Sequence, residues 1–272
     1  MRRNFAQVLK SGNIDIKKEY SKLFAIFYGR DSRDSRALAD IISANFENIY
    51  FRGTCFNLDE FDEEYGFHFV EQPQDFNVDY LVSFCEYIYN LVVNFDDRFL
   101  FHNTNKDFYV LHINKLMERI GYIQSCEDGF TIFVAKNNAA IAVSELECIP
   151  ENVSYKVISY NHHSMQGEID KKKQILLTLA NILESRRNEL EGMNNQFTSD
   201  LFYAFNNFNI RHNNIDSNGA KYKKTIAELT QEQLEKWYDN VYQMCLLAFM
   251  LLENKSIKTE FNKLKSEIEN KK

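Results

Sequence analysis

The chain is poor in residues that interrupt regular structure. Its 272 residues include 2 prolines and 9 glycines, well below ordinary use. β-Sandwiches and Gly-rich nucleotide folds need many turn residues, so this scarcity points to helices. Long apolar runs are lacking too. The best stretch, Tyr80 to Phe95, is interrupted by Glu86 and Asn90, so no membrane-spanning helix is expected. The opening Met1-Arg2-Arg3-Asn4-Phe5 has neither an apolar signal core nor a cleavage site. The five cysteines (Cys55, Cys85, Cys126, Cys148, Cys245) are odd in number, widely spaced and without a Cys-x-x-Cys pair. That disfavours a disulfide framework or a zinc ribbon and suits reduced thiols in the cytoplasm. Also missing are Gly-x-x-x-x-Gly-Lys-Ser/Thr, Gly-x-Gly-x-x-Gly, Gly-x-Ser-x-Gly and His-Glu-x-x-His. NTPase, dinucleotide-dependent dehydrogenase, serine hydrolase and zincin readings therefore have no motif to stand on, and no cofactor or metal is expected.

What is present suffices for a folded core, with 44% apolar and 26% charged residues. The length suggests two folded units with a small third element. The net charge of −7 is unevenly spread: residues 55–100 hold eleven carboxylates against Arg98 alone, whereas residues 1–36 carry nine bases and four acids. The acidic block reads either as a solvated face or as a dock for a basic protein partner. A phosphate-binding surface remains open elsewhere on the chain.

Periodicity divides the chain. Residues 1–107 read as an N-terminal helical region, with amphipathic helices over 34–50 and 79–94 around an irregular acidic segment at 51–78. Residues 108–150 read as a small α+β module: a helix stopping at Gly121, then two β-prone runs around Asp128-Gly129. The loop Cys126 to Gly129 predicts a bulged hairpin, and the whole is compatible with a winged-helix-like element. A domain cut is expected near Pro150, within 150–168. The last hundred residues read as an antiparallel helical bundle over 165–255. Asp170 is expected to cap a helix running to about Leu190, and Thr198 or Ser199 to cap a second helix ending near Asn209. Thr230-Gln231-Glu232-Gln233 has the form of a capping box before a long third helix. A charged helical tail over 256–272 keeps apolar residues Ile257, Phe261, Leu264 and Ile268 at helical spacing.

The densest chemistry lies at Asn206 to Asn214, where Arg211, His212 and five Asn amides fall within nine residues at the end of an apolar helix. Such groups either cap a helix C-terminus and satisfy its carbonyls or form a polar active site. In the second case His212 would move protons near neutral pH. Arg211 would hold a phosphate and stabilise negative charge, and Asn213 or Asn214 would orient the reacting groups. These are the needs of metal-free RNA cleavage. Tyr160-Asn161-His162-His163-Ser164 is a second polar stretch, read as a linker with exposed imidazoles or as an RNA contact. Lys171, Lys172 and Lys173 form a basic step that either touches phosphates or is plain solvated surface.

The arrangement of an Arg-polar pair at the end of an apolar helix, a loop and a long final helix resembles the HEPN domains of bacterial abortive-infection (Abi-like) defence proteins. The resemblance covers about residues 165–255. It implies a mainly α, HEPN-like fold, a homodimer with facing motifs, and a defence or toxin-like role in cleaving or binding RNA. In that family a His follows the Arg after four to six residues. Here those spacings reach Asp216, Ser217 and Asn218, so either His212 itself serves or the chain is a non-nuclease relative. The expectation is thus a cytoplasmic RNA-cleaving or RNA-binding defence protein. The alternative is a non-catalytic interaction or regulatory protein in which Arg211 to Asn214 are structural. A DNA-binding regulator using 108–150 is a third reading, weakened because residues 108–124 offer only Lys115 and Arg119 as bases.

Overall fold

The computed structural model describes residues 14–29, 36–95 and 106–270. The start of the helix expected over 34–50, at Asp34 and Ser35, and the end of the acidic block at Asp96 and Asp97 lie outside them. The protein is mainly α. Among the described residues there are twelve α-helices, one antiparallel two-stranded hairpin and a long C-terminal helix. None of the described helices is long and apolar enough to cross a membrane.

The chain divides into two units, residues 1–133 and 134–272. The break falls earlier than the Pro150 region marked by composition. Pro150 instead opens a helix inside the second unit, where its fixed φ and missing N–H are tolerated.

The first unit contains α1 (Ile16–Tyr28), α2 (Leu38–Ala44), α3 (Leu58–Tyr65), α4 (Val78–Val93), α5 (Lys106–Arg119) and the hairpin β1 (Tyr122–Glu127) and β2 (Phe130–Ala135). Asn57 and Asn77 start α3 and α4 by accepting hydrogen bonds from the backbone N–H groups of Glu60 and Tyr80 at 2.9 and 2.8 Å. The core is built of rings. Tyr20 of α1 and Phe69 of the 66–77 segment each lie 4.9 Å from Phe84 of α4, centroid to centroid. Aromatic rings bury much area per residue and pack edge to face, which explains a share of 14% aromatics.

Two polar residues on the buried helix α4 have a specific task. The Asn90 side chain donates to the Thr131 carbonyl and accepts from the Thr131 N–H, both at 2.8 Å, and Glu86 accepts from the Phe133 N–H at 2.5 Å. One helical turn apart, they pair with the open edge of β2 and satisfy backbone groups that no third strand covers. The hairpin turn is the tight two-residue type rather than the expected bulge. Asp128 and Gly129 both take positive φ, 50° and 87°, the twist that suits a two-residue connection.

The second unit contains α6 (Asn138–Ser144), α7 (Glu151–Ser159), α8 (Ile169–Glu184), α9 (Arg187–Met193), α10 (Asn195–Asn207), α11 (Lys224–Ala227) and α12 (Gln231–Glu269). The 108–150 stretch is therefore shared: α5 and most of the hairpin belong to the first unit, α6 to the second. Leu176, Leu179 and Leu183 of α8 meet Leu201 and Phe205 of α10 and Tyr242, Cys245 and Phe249 of α12 in a helical-bundle core. The capping box at Thr230 and Gln233 forms as read, with reciprocal bonds of 3.0 and 3.2 Å. Two other caps differ from the sequence reading. Asp170 lies inside the first turn of α8, and α10 starts at Asn194, whose side chain accepts from the Phe197 N–H at 3.0 Å. Thr198 is buried and donates back to the Asn194 carbonyl. The expected third helix and charged tail are one continuous helix of 39 residues.

Asp62 of α3 yields a test of the first unit. It accepts the Tyr87 hydroxyl at 2.9 Å, and burial pushes its carboxyl from 3.8 up to about 6, against the weaker lowering effect of that hydrogen bond. The native state thus keeps a proton that the unfolded chain has lost. This contribution to stability is full below about pH 4 and disappears as pH rises through about 6. Asp62→Asn should raise the urea midpoint relative to wild type at pH 7.5 and lose that advantage at pH 4. An advantage independent of pH would contradict the assignment.

Candidate functional site

The Arg211 segment lies where α10 ends. Phe208 closes the helix, and Asn209 takes the left-handed conformation at φ 59°, which Asn tolerates better than most residues. Asn209 and Asn214 then lock onto each other. The Asn209 N–H donates to the Asn214 side-chain oxygen at 2.8 Å, and the Asn214 N–H donates to the Asn209 side-chain oxygen at 3.2 Å. The Asn214 side chain also donates to the Lys221 carbonyl at 2.7 Å, and its carbonyl accepts from the Lys223 N–H at 2.8 Å. Both residues are buried, Asn214 completely. Asn214 thus closes the loop from Asn209 to Lys223 rather than reaching toward solvent. Asn213 is exposed.

Arg211 turns inward. Its guanidinium forms an ion pair with Glu184 and donates to the Ala180 carbonyl at 2.9 Å, both on α8. It also lies 5.5 and 5.3 Å from the ring centroids of Phe202 and Phe205. A cation beside the last turn of α8 complements the negative end of the helix dipole, which is electrostatically favourable. Its Nε is buried without a hydrogen-bond partner. His212 is half-buried, and its carbonyl accepts from the Asn214 N–H.

The three lysines have three different environments. Lys171 is exposed and stands 3.3 Å from Glu168. Lys172 is buried, and its ammonium lies 2.7 Å from both Glu235 and Asp239 of α12, above the Tyr160 ring. Its charge is committed to two carboxylates within the bundle. Tyr160 stacks on Tyr242 at 3.9 Å and donates its hydroxyl to Asp239 at 3.0 Å. Burial, with the nearby Asp239 charge, pushes the Tyr160 phenol far up, so it stays a donor. Lys173 reaches the Asn209 side-chain oxygen at 3.3 Å, and burial lowers its pKa against the opposing pull of Asp170. It supports the loop.

His162 is buried, contrary to the expected exposed linker. Its Nδ1 lies 2.7 Å from the Ser164 hydroxyl and accepts from the Ser164 N–H at 3.2 Å, starting a short 3-10 turn at His163–Met165. The two imidazoles lie 4.2 Å apart, centroid to centroid. An open groove of about 670 Å³ runs between α9 and α12, lined by Asn188, Glu189, Met193, Asn254 and Lys258 among others. None of residues 211–214 lines it.

Of the site expected from the sequence, Arg211 turns to α8, Asn214 is buried in its own loop, His212 is half-buried and Asn213 is exposed, while Glu184, the carboxylate that Arg211 meets, carried no mark in the sequence. Sequence reading also missed the polar cluster of Lys172, Tyr160, Glu235 and Asp239. One signal was present: Lys172 precedes Ile175, Leu176 and Leu179 by three, four and seven residues, which puts it on the apolar stripe. Compared with known proteins, the chain matches no family model, no curated protein and no solved structure.

Asn214→Ala should destabilise the protein by about 2–4 kcal/mol, because it leaves the Asn209 N–H and the Lys221 carbonyl without partners. Asn213→Ala should change stability by less than about 0.5 kcal/mol. Urea denaturation of both variants checks this; equal effects would contradict the structural role of Asn214.

Proposed function

We propose that the protein works by binding rather than by catalysis: a helical interaction or regulatory protein in which Arg211 to Asn214 are structural. On the resemblance to abortive-infection HEPN domains, it would be a non-nuclease relative acting in a bacterial defence system. The observation that carries this reading is the enclosure of Arg211. A guanidinium held by Glu184, the Ala180 carbonyl and two aromatic rings would have to break those contacts to take a phosphate. Asn214 is equally committed within its own loop. The first unit supplies the complementary feature. Asp59, Glu60, Glu63 and Glu64 are exposed on or beside the same α3 turns as exposed Phe56 and Tyr65. Acidic groups around accessible rings suit a basic protein partner, through steering by charge and anchoring by ring burial.

A second reading, metal-independent RNA cleavage by a HEPN-like dimer, is favoured by one observation. The His212 imidazole remains half-buried beside Arg211 without a side-chain hydrogen bond or ion pair among the described residues, so a proton-transfer group is available there.

One assay separates the two. Purified protein incubated with mixed RNA in excess chelator should leave the RNA intact, while Arg211→Ala should lower the thermal midpoint by several degrees. Chelator-resistant cleavage that His212→Ala abolishes without changing the thermal midpoint would replace the binding reading with the nuclease reading.

A further inference from the structure

The final helix outruns its bundle. Leu252 is the last buried residue of α12, and residues 253–269 are exposed on every side. Over about 25 Å of helix, apolar residues nevertheless continue along one face. Leu247, Ile257, Phe261, Leu264 and Ile268 are each between 43% and 61% exposed. With Met250 and Asn254 they fill every a and d position of three heptads: Leu247, Asn254, Phe261 and Ile268 at a, and Met250, Ile257 and Leu264 at d. A strict seven-residue repeat is the pattern of a helix that pairs with another helix, and it serves no purpose for a solvated one.

The flanking charges say which helix. Glu253, Glu260 and Glu267 occupy the g positions, and Lys258 and Lys265 the e positions. In a parallel pair each g residue faces the e residue five positions further along the other helix. Glu253 then meets Lys258 of a second copy, and Glu260 meets Lys265, on both sides of the seam. In an antiparallel pair g faces g and e faces e, which would set Glu against Glu and Lys against Lys. Asn254 adds a further sign: a single Asn at an a position pairs with its own copy across a parallel two-stranded seam and fixes register and strand number.

We propose that the protruding part of α12, from about residue 250 to residue 269, forms a parallel two-stranded coiled coil with the same segment of a second copy of this chain. The interface is isologous, so the assembly closes as a dimer. It is a short seam carrying one polar layer, and the dimer is therefore reversible with concentration. This inference stands on α12 alone and does not depend on the binding or the nuclease reading.

The test is the mass of the full chain by sedimentation equilibrium, extended to about 100 μM to reach weak association. Wild type should move from 32.2 kDa toward twice that mass. Phe261→Glu with Leu264→Glu should stay monomeric with unchanged near-UV and thermal signals from the bundle, because both positions face solvent in one copy. Glu260→Lys alone and Lys265→Glu alone should each weaken association by roughly tenfold, since each creates like-charge pairs on both sides of the seam. The two together should restore it. Orientation is read by oxidation of single-cysteine variants in a background with Cys126→Ser and Cys148→Ser. Asn254→Cys and Ile268→Cys should each cross-link to itself. A monomer throughout the concentration range, dimerisation unaffected by Phe261→Glu with Leu264→Glu, or cross-linking absent from each single variant but present between an Asn254→Cys copy and a Leu264→Cys copy, the a-to-d pairing of an antiparallel seam, would overturn the proposal.

Discussion

The guanidinium of Arg211 is the constraint on which the second unit turns. It ties the end of α10 to the last turn of α8 by an ion pair with Glu184, a hydrogen bond to the Ala180 carbonyl and two aromatic faces. The Arg211 backbone N–H also donates to the Phe205 carbonyl at 3.0 Å, so main chain and side chain act together where the chain leaves α10. With this exit held, Asn209 and Asn214 can close the following loop, and the Tyr238 hydroxyl of α12 can meet the Asn209 carbonyl at 3.3 Å. Lys172 repeats the device at the other end of α8, joining it to Glu235 and Asp239 of α12. Buried Lys172 and half-buried Arg211 thus fix α8 against its neighbours at both ends, while Leu176, Leu179 and Leu183 supply the area between them. The Glu184 and Asp239 carboxylates stay about half exposed, so these ion pairs set geometry more than they add stability.

The first unit follows the same logic with neutral and acidic groups. Glu86 and Asn90 interrupt an otherwise apolar helix, and each answers a backbone group on the unpaired edge of β2. Asp62 is held under Tyr87 and kept partly protonated by burial. In both units the polar residues on apolar faces are the informative ones, since each needs a partner and so names a contact.

The sequence was legible where the signal is local. Helical character followed from the scarcity of Pro and Gly, and the capping box at Thr230 and Gln233 formed as its spacing implied. Asp128-Gly129 marked the hairpin correctly, although the turn is tighter than the flanking residues suggested. What could not be read was long-range. Glu184 lies 27 positions before Arg211, and Asp239 lies 67 positions after Lys172, and no periodicity connects such pairs. The unit boundary differs from the compositional one for a related reason. Pro150 is a local break that tertiary packing absorbed at a helix start, whereas the change of unit at Phe133 and Val134 falls within β2 and carries no compositional mark. The tail was the opposite case: the helical spacing of Ile257, Phe261, Leu264 and Ile268 was legible, and only the folded chain shows that the bundle leaves these residues exposed.

The most direct measurement is a double-mutant cycle on the pair at the centre of this account, with Arg211→Met and Glu184→Gln made singly and together and stability read by urea denaturation. A structural guanidinium predicts a coupling of about 1 kcal/mol, with the double variant less destabilised than the sum of the single ones. Additive effects within about 0.3 kcal/mol, with Arg211→Met as stable as wild type, would mean that Arg211 is not held by its own fold and would contradict the account.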